Sequence, residues 1–280
     1  MDSSANEKKS IALPELTDSS LEFDQRIGVL TFKRHDVRNA LTGTALVQDI
    51  VRTVQWANQE PALSVLVLTG EGSAFCSGGN IKQMQARSHS FSGSPFNIQD
   101  QYRRGIQQMP LALHAAEMPV IAAVNGPALG AGFDLTCMCD IRIASTKALM
   151  GESFINLGIT PGDGGAWFLQ RLLGYQRAAE LTFTGRRFKA DEALRMGLVL
   201  DVVEPEQLMP RAMELAREMA SKPPQTLRLT KRMMKLAQRS ELPDFLDLCA
   251  TFQAIAHHTE DHLEAVNAFI DKREPKYKGK

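Results

Sequence analysis

Two segments in which a buried-looking apolar run empties into a glycine-rich turn constrain this chain more than anything else in it. The first, residues 64–80, reads SVLVLTGEGSAFCSGGN, and the second, residues 121–165, reads IAAVNGPALGAGFDLTCMCDIRIASTKALMGESFINLGITPGDGG. Residues 65–68 and 120–124 are β-branched and small apolar runs suited to strands covered on both faces, the habit of parallel sheets flanked by helices. Gly130, Ala131 and Gly132 leave main chain open to a ligand. A helix beginning there aims unpaired N–H groups and its positive dipole end at an acceptor oxygen. Cys76, Ser77, Gly78 and Gly79 expose backbone in the same way. Two such turns facing one another across a cleft would form an oxyanion site.

The remaining pattern supplies a scaffold. Residues 21–33, LEFDQRIGVLTFK, predict two short strands around residues 26–28. Thr42 is placed to cap a helix running to about Asn58, with Leu46, Ile50 and Val54 on one face. Strand and helix alternate, which favours repeated βα units. Residues 86–105 are rich in serine, glycine and proline and read as a mobile connector or an irregular surface loop. Helices are expected at 166–173, 177–182 and 190–196 and a strand at 198–203. From Glu204 onward the pattern is helical, broken by Pro223, Pro224 and Pro243, and its amphipathic faces need another surface. The expected division is a disordered arm over 1–20, an α/β core over 21–203 and a helical region over 204–280.

With 32 basic and 32 acidic side chains among 280 residues, the chain has no overall field to draw in nucleic acid or an anionic membrane. Arg228, Arg232, Lys235 and Arg239 form a stripe opposite Leu229, Met233 and Leu236, read as a solvated face. Cysteines 76, 137, 139 and 249 make no disulfide framework and suit a reducing compartment, with cytoplasm as the expectation. Cys137 and Cys139 share a helix with no second ligand pair, so structural thiols are expected and no metal. No apolar run nears the roughly 20 residues that span a bilayer, and the first twenty lack a signal-type apolar stretch. The end KYKGK is not a peroxisomal address.

AFCSGGNIKQM together with AAVNGPALGAGFDLTCMCDIRIAS resembles the crotonase superfamily, the enoyl-CoA hydratase and isomerase family. The likeness runs from about Leu21 through GITPGDGGAWFLQRLLG to the tail FIDKREPKYKGK. It implies a crotonase-type α/β spiral of ββα units with a C-terminal α-helical region, assembling as a homotrimer or a dimer of trimers. The implied partner is an acyl-CoA thioester, with coenzyme A as part of the substrate and no metal or redox cofactor. The resemblance assigns the oxyanion hole to the N–H groups of Ser77 and Ala131, and substrate contacts to Cys76, Gly78, Gly79, Asn80, Ile81, Gly130 and Phe154. Tyr277 and Lys278 resemble positions that touch CoA, commonly on a neighbouring subunit.

Asp134 stands where hydratases of this family carry a glutamate and dienoyl-CoA isomerases an aspartate. Asp163 resembles an additional aspartate of those isomerases, or else caps the helix that follows. The second hydratase glutamate falls on Phe154, which moves no proton. Glu152, two residues earlier and on the same face of a strand, is the candidate substitute. The first expectation is therefore double-bond isomerisation of an enoyl- or dienoyl-CoA by Asp134 and Asp163, with hydration assisted by Glu152 second. Acyl-CoA hydrolysis or C–C cleavage comes third, and a non-catalytic CoA- or RNA-binding scaffold is the rival of a different class.

Overall fold

The two apolar runs become the centre of a six-stranded sheet. In the computed structural model, which describes residues 12–280, the strands are β1 (Ser19–Asp24), β2 (Ile27–Phe32), β3 (Val65–Gly70), β4 (Val120–Val124), β5 (Ala128–Leu129), β6 (Ile141–Ser145), β7 (Leu149–Gly151), β8 (Phe188–Lys189) and β9 (Asp201–Val203). The large sheet runs β1-β2-β3-β4-β6-β9, and β5-β7-β8 make a small second one. β1 and β2 form an antiparallel hairpin, and every later pairing in the large sheet is parallel. Gln25 and Arg26 turn the hairpin at φ 46° and 71°, the left-handed geometry that a two-residue hairpin loop demands.

Helices fill the connections: α1 (Leu46–Gln59), α2 (Ile81–Gln85), α3 (Pro95–Arg104), α4 (Gln108–Ala115), α5 (Ala131–Cys137), α6 (Gly165–Leu173), α7 (Tyr175–Thr184), α8 (Ala190–Arg195), α9 (Pro205–Ala220), α10 (Pro224–Ala237), α11 (Leu242–His257) and α12 (Glu260–Asp271). Strand alternation divides the core. Val65, Val67, Ile121 and Ala123 meet α9 through Leu208, Ala212, Ala216 and Ala220, a small-residue stripe at helical spacing. Leu66, Leu68, Ala122 and Val124 belong to the other face, packed with Ile50 and Val54 of α1 and Met109 and Leu113 of α4.

Several local expectations are corrected. Helix α1 begins at Leu46 with no side-chain cap, whereas the Thr42 hydroxyl accepts the Asn80 N–H at 2.7 Å and ties the first glycine turn to the approach to α1. The connector at 86–105 contains a real helix, α3, because Ser94 accepts the Asn97 N–H and Pro95 supplies a preset first helical residue. The expected disordered arm falls partly outside the described residues. At its near end the Asp49 carboxylate accepts the Thr17 and Asp18 N–H groups at 3.0 and 2.7 Å, and β1 starts at Ser19.

The basic stripe is a solvated face only in part, with Arg232 and Arg239 exposed. Arg228 and Lys231 are buried. Arg228 donates to the carbonyls of Ala57, Asn58, Glu60 and Leu63 around the end of α1, at 2.7–3.3 Å. Lys231 donates to the Met118 carbonyl at 2.7 Å and pairs with Asp140. Lys235 donates to the carbonyls of His114 and Ala116 at the end of α4. Helix C-termini present unpaired carbonyls and the negative end of the dipole, so cations from α10 bolt the helical region onto the core.

Candidate active site

The two glycine turns are joined backbone to backbone. Phe75 and Cys76 N–H groups both donate to the Pro127 carbonyl at 3.1 Å, and Leu129 N–H donates to the Cys76 carbonyl at 3.1 Å. Gly132 is required here, since a Cβ on it would overlap the Cys76 carbonyl group. This close approach sets residues 76–79 over the start of α5.

The Ser77 N–H is not available to a ligand. It donates to the Arg38 carbonyl at 3.0 Å, so its expected oxyanion role is withdrawn. Two residues on, the Gly79 N–H has no acceptor among the described residues. The same holds for the Ala131 N–H, which as the first residue of α5 has no intrahelical partner to reach. Gly79 and Ala131 share the wall of a cavity of about 120 Å³ with Phe154, Tyr102 and Asp163. Two residues with unpartnered amides therefore line one small chamber, with Gly79 in the place expected for Ser77.

Other expected substrate contacts lie off this wall. Cys76 is fully buried and its thiol is pushed up to about 12 by burial, an inert group. Gly78 packs on the Leu129 carbonyl, and Gly130 carries the turn into α5 at φ 52°. Asn80 caps α2 by accepting the Lys82 and Gln83 N–H groups, and Ile81 is exposed. The tail is folded back on its own helix, where the Asp261 carboxylate accepts the Lys278 and Gly279 N–H groups at 2.7 and 2.9 Å. Tyr277 and Lys278 thus stay away from this cavity.

Three carboxylates gather instead. Asp134, Glu152 and Asp163 are all buried, at 0%, 0% and 2% exposure. Asp134 and Asp163 lie close enough to perturb each other's ionisation, and none of their four carboxylate oxygens has a hydrogen-bond partner among the described residues. Gly165, opening α6, makes room for them, because a Cβ there would overlap the Asp134 carboxylate. Asp163 does not cap α6. Gly164 holds that position, and no side chain bonds to the helix start. Asp163 lies on the cavity wall, whereas Asp134, expected to line the cleft itself, sits behind it.

Burial, and then the neighbouring Asp163, holds the Asp134 carboxyl well above the usual carboxylate range. Burial also raises Asp163, partly offset by Asp134 beside it. Like charges this close cannot both ionise in a dry site, so the two form a dyad retaining one proton. Glu152 is not on a strand but opens a short 3-10 turn after β7, and it points to Thr182, whose hydroxyl donates to it at 2.7 Å. Burial raises its pKa, and its second oxygen has no partner among the described residues. Phe154 occupies the wall against Gly130.

Sequence reasoning missed Gly79 as the donor, Thr182 as the partner of Glu152, and Tyr102. Tyr102 comes from α3, the segment read as a loop, and its phenol is raised by burial and by Asp163. Among the described residues no group of three or more His, Cys, Asp or Glu side chains is disposed to hold a metal.

Residues 22–280 match the enoyl-CoA hydratase/isomerase family. The chain belongs to that family. It is 38% identical to the short-chain-enoyl-CoA hydratase of Clostridium acetobutylicum over 262 residues, covering 92% of this chain and 97% of that protein. The crotonyl-CoA hydratase of Syntrophomonas wolfei is 35% identical, with 92% and 96% covered. The crystal structure of an enoyl-CoA hydratase from Bacillus anthracis superposes at a TM-score of 0.87 with 33% identity, covering 94% of this chain and all of that one. The crotonase fold and an acyl-CoA enzyme are thereby established for this chain, as the family motifs implied. These relatives are named hydratases, the reaction that the sequence placed second.

Proposed function

We propose that the enzyme moves a double bond along an enoyl- or dienoyl-CoA. The thioester oxygen accepts hydrogen bonds from the Gly79 and Ala131 N–H groups. Asp163, on the wall, takes a proton from one carbon of the bound chain and leaves a conjugated enolate whose charge those amides hold. A proton then returns from the dyad to a second carbon. The double bond shifts, the carbonyl re-forms, and no atom is gained or lost. Asp134 behind Asp163 keeps one of the two carboxyls protonated, so a base and an acid coexist near neutral pH.

The observation that carries this reading is the burial of Asp134 and Asp163, with no hydrogen-bond partner on any of their four oxygens among the described residues. Phe154 removes the position from which the sequence pattern would supply a separate carboxylate. Hydration remains the second reading, supported by the names of the relatives and by the unpartnered oxygen of Glu152.

Turnover of enoyl- and dienoyl-CoAs in deuterated water, read by mass, separates the two. Isomerisation incorporates deuterium without adding water, while hydration adds a whole water. Rapid hydration of crotonyl-CoA, lost in Glu152→Gln, would overturn the isomerase reading. Thioester binding without turnover would favour the scaffold.

The same reading includes self-association. Leu246, Leu263, Phe269 and Ile270 of α11 and α12 are 55–86% exposed and need cover. A trimer or hexamer by light scattering is expected, and a monomer at micromolar concentration would refute it. No helix among the described residues is long and apolar enough to cross a membrane.

A further inference from the structure

Asp163 is a wall shared by two cavities. Gly162 and Asp163 also border a second, apolar cavity of about 300 Å³, whose walls include Pro110, Leu111, Trp167 and Phe168. His114 and Trp167 in turn border a third cavity, of about 420 Å³, between α4, α6 and α10. Each cavity thus shares wall residues with the next, Gly162 and Asp163 between the first two and His114 and Trp167 between the last two.

That chamber is strongly basic. Arg171, Arg228, Lys231, Arg232, Lys235 and Arg239 all stand on its wall, against one carboxylate, Glu117, which Arg228 already engages at 3.0 Å. Lys231 is neutralised by Asp140. Arg171 stacks on Trp167 at 3.8 Å, Arg232 lies over Phe252, and Lys235 meets only carbonyl oxygens. Among the described residues Arg171, Arg232, Lys235 and Arg239 have no carboxylate partner. The Nε of Arg228 is buried and unpartnered on the same wall. The uncompensated charge is felt locally. Burial and Lys231 lower Lys235 to about 8, and burial followed by Lys235, Arg239, Lys231 and Arg171 lowers His114.

We infer that the third chamber seats an anionic group at the far end of the acyl chain, so that the preferred substrate is an ω-carboxylated acyl-CoA, the thioester of a dicarboxylic acid. The inference rests on the thioester reading of the Gly79 and Ala131 site. A carboxylate is the anion that the geometry favours. It must arrive on an apolar stem, past Leu111 and Phe168 and alongside Trp167, and Arg171 is held by its stacking and by the bond from its Nη1 to the Trp167 carbonyl at 3.0 Å, which leaves its Nε and Nη2 for an oxyanion. Arg228 and Lys231 are only 7% exposed, but Arg171, Arg232 and Arg239 are exposed, which is why the test includes a short RNA.

The test compares enoyl-CoAs of equal length ending in a methyl or a carboxylate, on the wild type and on the double variant R171Q/R239Q. Wild type should prefer the carboxylate by about tenfold to a hundredfold in kcat/KM, the range of a charge-assisted bond or two. In the variant that preference should collapse while kcat/KM for the methyl-ended ester stays within about twofold. Equal use of both esters by the wild type, or an equal fall for both in the variant, would overturn the tail site while leaving the thioester reading intact. Failure of every ester and of free CoA to bind would overturn both. Weaker binding of free CoA by the variant would assign the cations to the coenzyme nucleotide instead. Loss of binding to a short RNA, or a changed mass by light scattering, would assign them to RNA or to a subunit contact. Each of those three results overturns the proposal.

Discussion

Replacing Asp134 with asparagine should make the protein more stable and less active at the same time. Asp134 and Asp163 are buried close enough to raise Asp134 further, and the pair holds a proton that the same residues lose when the chain unfolds. An unfolded aspartic acid titrates at about 3.9. Above that pH, and up to the raised folded value, unfolding releases the proton, so stability falls as pH rises. The slope is about 1.4 kcal/mol per pH unit for each proton so retained. The asparagine is neutral and relieves Asp163 of a like-charged neighbour, which removes most of that slope. Glu152, raised by burial, acts in the same direction as the dyad, and His114, lowered by burial, in the opposite one. Subtracting one urea-unfolding series from the other reduces both contributions, provided protein concentration is fixed. D134N should therefore gain on the wild type steadily as pH rises, by about 1 kcal/mol or more at about pH 8. Its turnover should fall by about 10²–10⁴. A variant less stable than wild type at that pH, with an unchanged pH slope, would refute the shared-proton dyad.

Gly165→Ala should force the Asp134 carboxylate aside by about an ångström and cut turnover by about 10²-fold, with CoA binding retained as checked by calorimetry. Gly79→Pro removes one unpartnered N–H and should cost about 10²–10³ in kcat, whereas Ser77→Ala, which keeps its bond to Arg38, should leave kcat within about twofold in steady-state assays. Arg228→Met leaves the carbonyls of Ala57, Asn58 and Leu63 around the end of α1 without their donor and should cost about 2–5 kcal/mol of stability by denaturant unfolding. Phe154→Glu should raise hydration of crotonyl-CoA by about tenfold or more if the new carboxylate reaches the substrate.

Strand runs and glycine turns were legible because period and composition encode them locally. Residues 65–68 and 120–124 became central strands, and Ala131 opened a helix with its amide free. The carboxylate set was legible too, since Asp134 and Asp163 are fixed by short spacings from their turns. Which amide of CSGG is free was not. That depends on the Arg38 carbonyl, about forty positions earlier, and nothing in the local pattern reports a long-range acceptor. The depth of Asp134 behind Asp163 depends on how α6 packs on α5. The cations of α10 misled for a related reason. Their spacing marks a polar helix face, but the partners of Arg228 are backbone carbonyls, which every sequence has and no sequence displays.

The bond from Arg228 to the Asn58 carbonyl spans 170 positions of chain, and this sets an order of events during synthesis. A ribosome adds about 5–20 residues per second, so the end of α1 leaves the exit tunnel about 10–30 s before Arg228 does. During that interval the carbonyls of Ala57, Asn58 and Leu63 rely on water, and the ledge that will receive α10 stays uncovered. The nascent core is then a client for holding chaperones, and it becomes resistant to proteases only when its last quarter arrives.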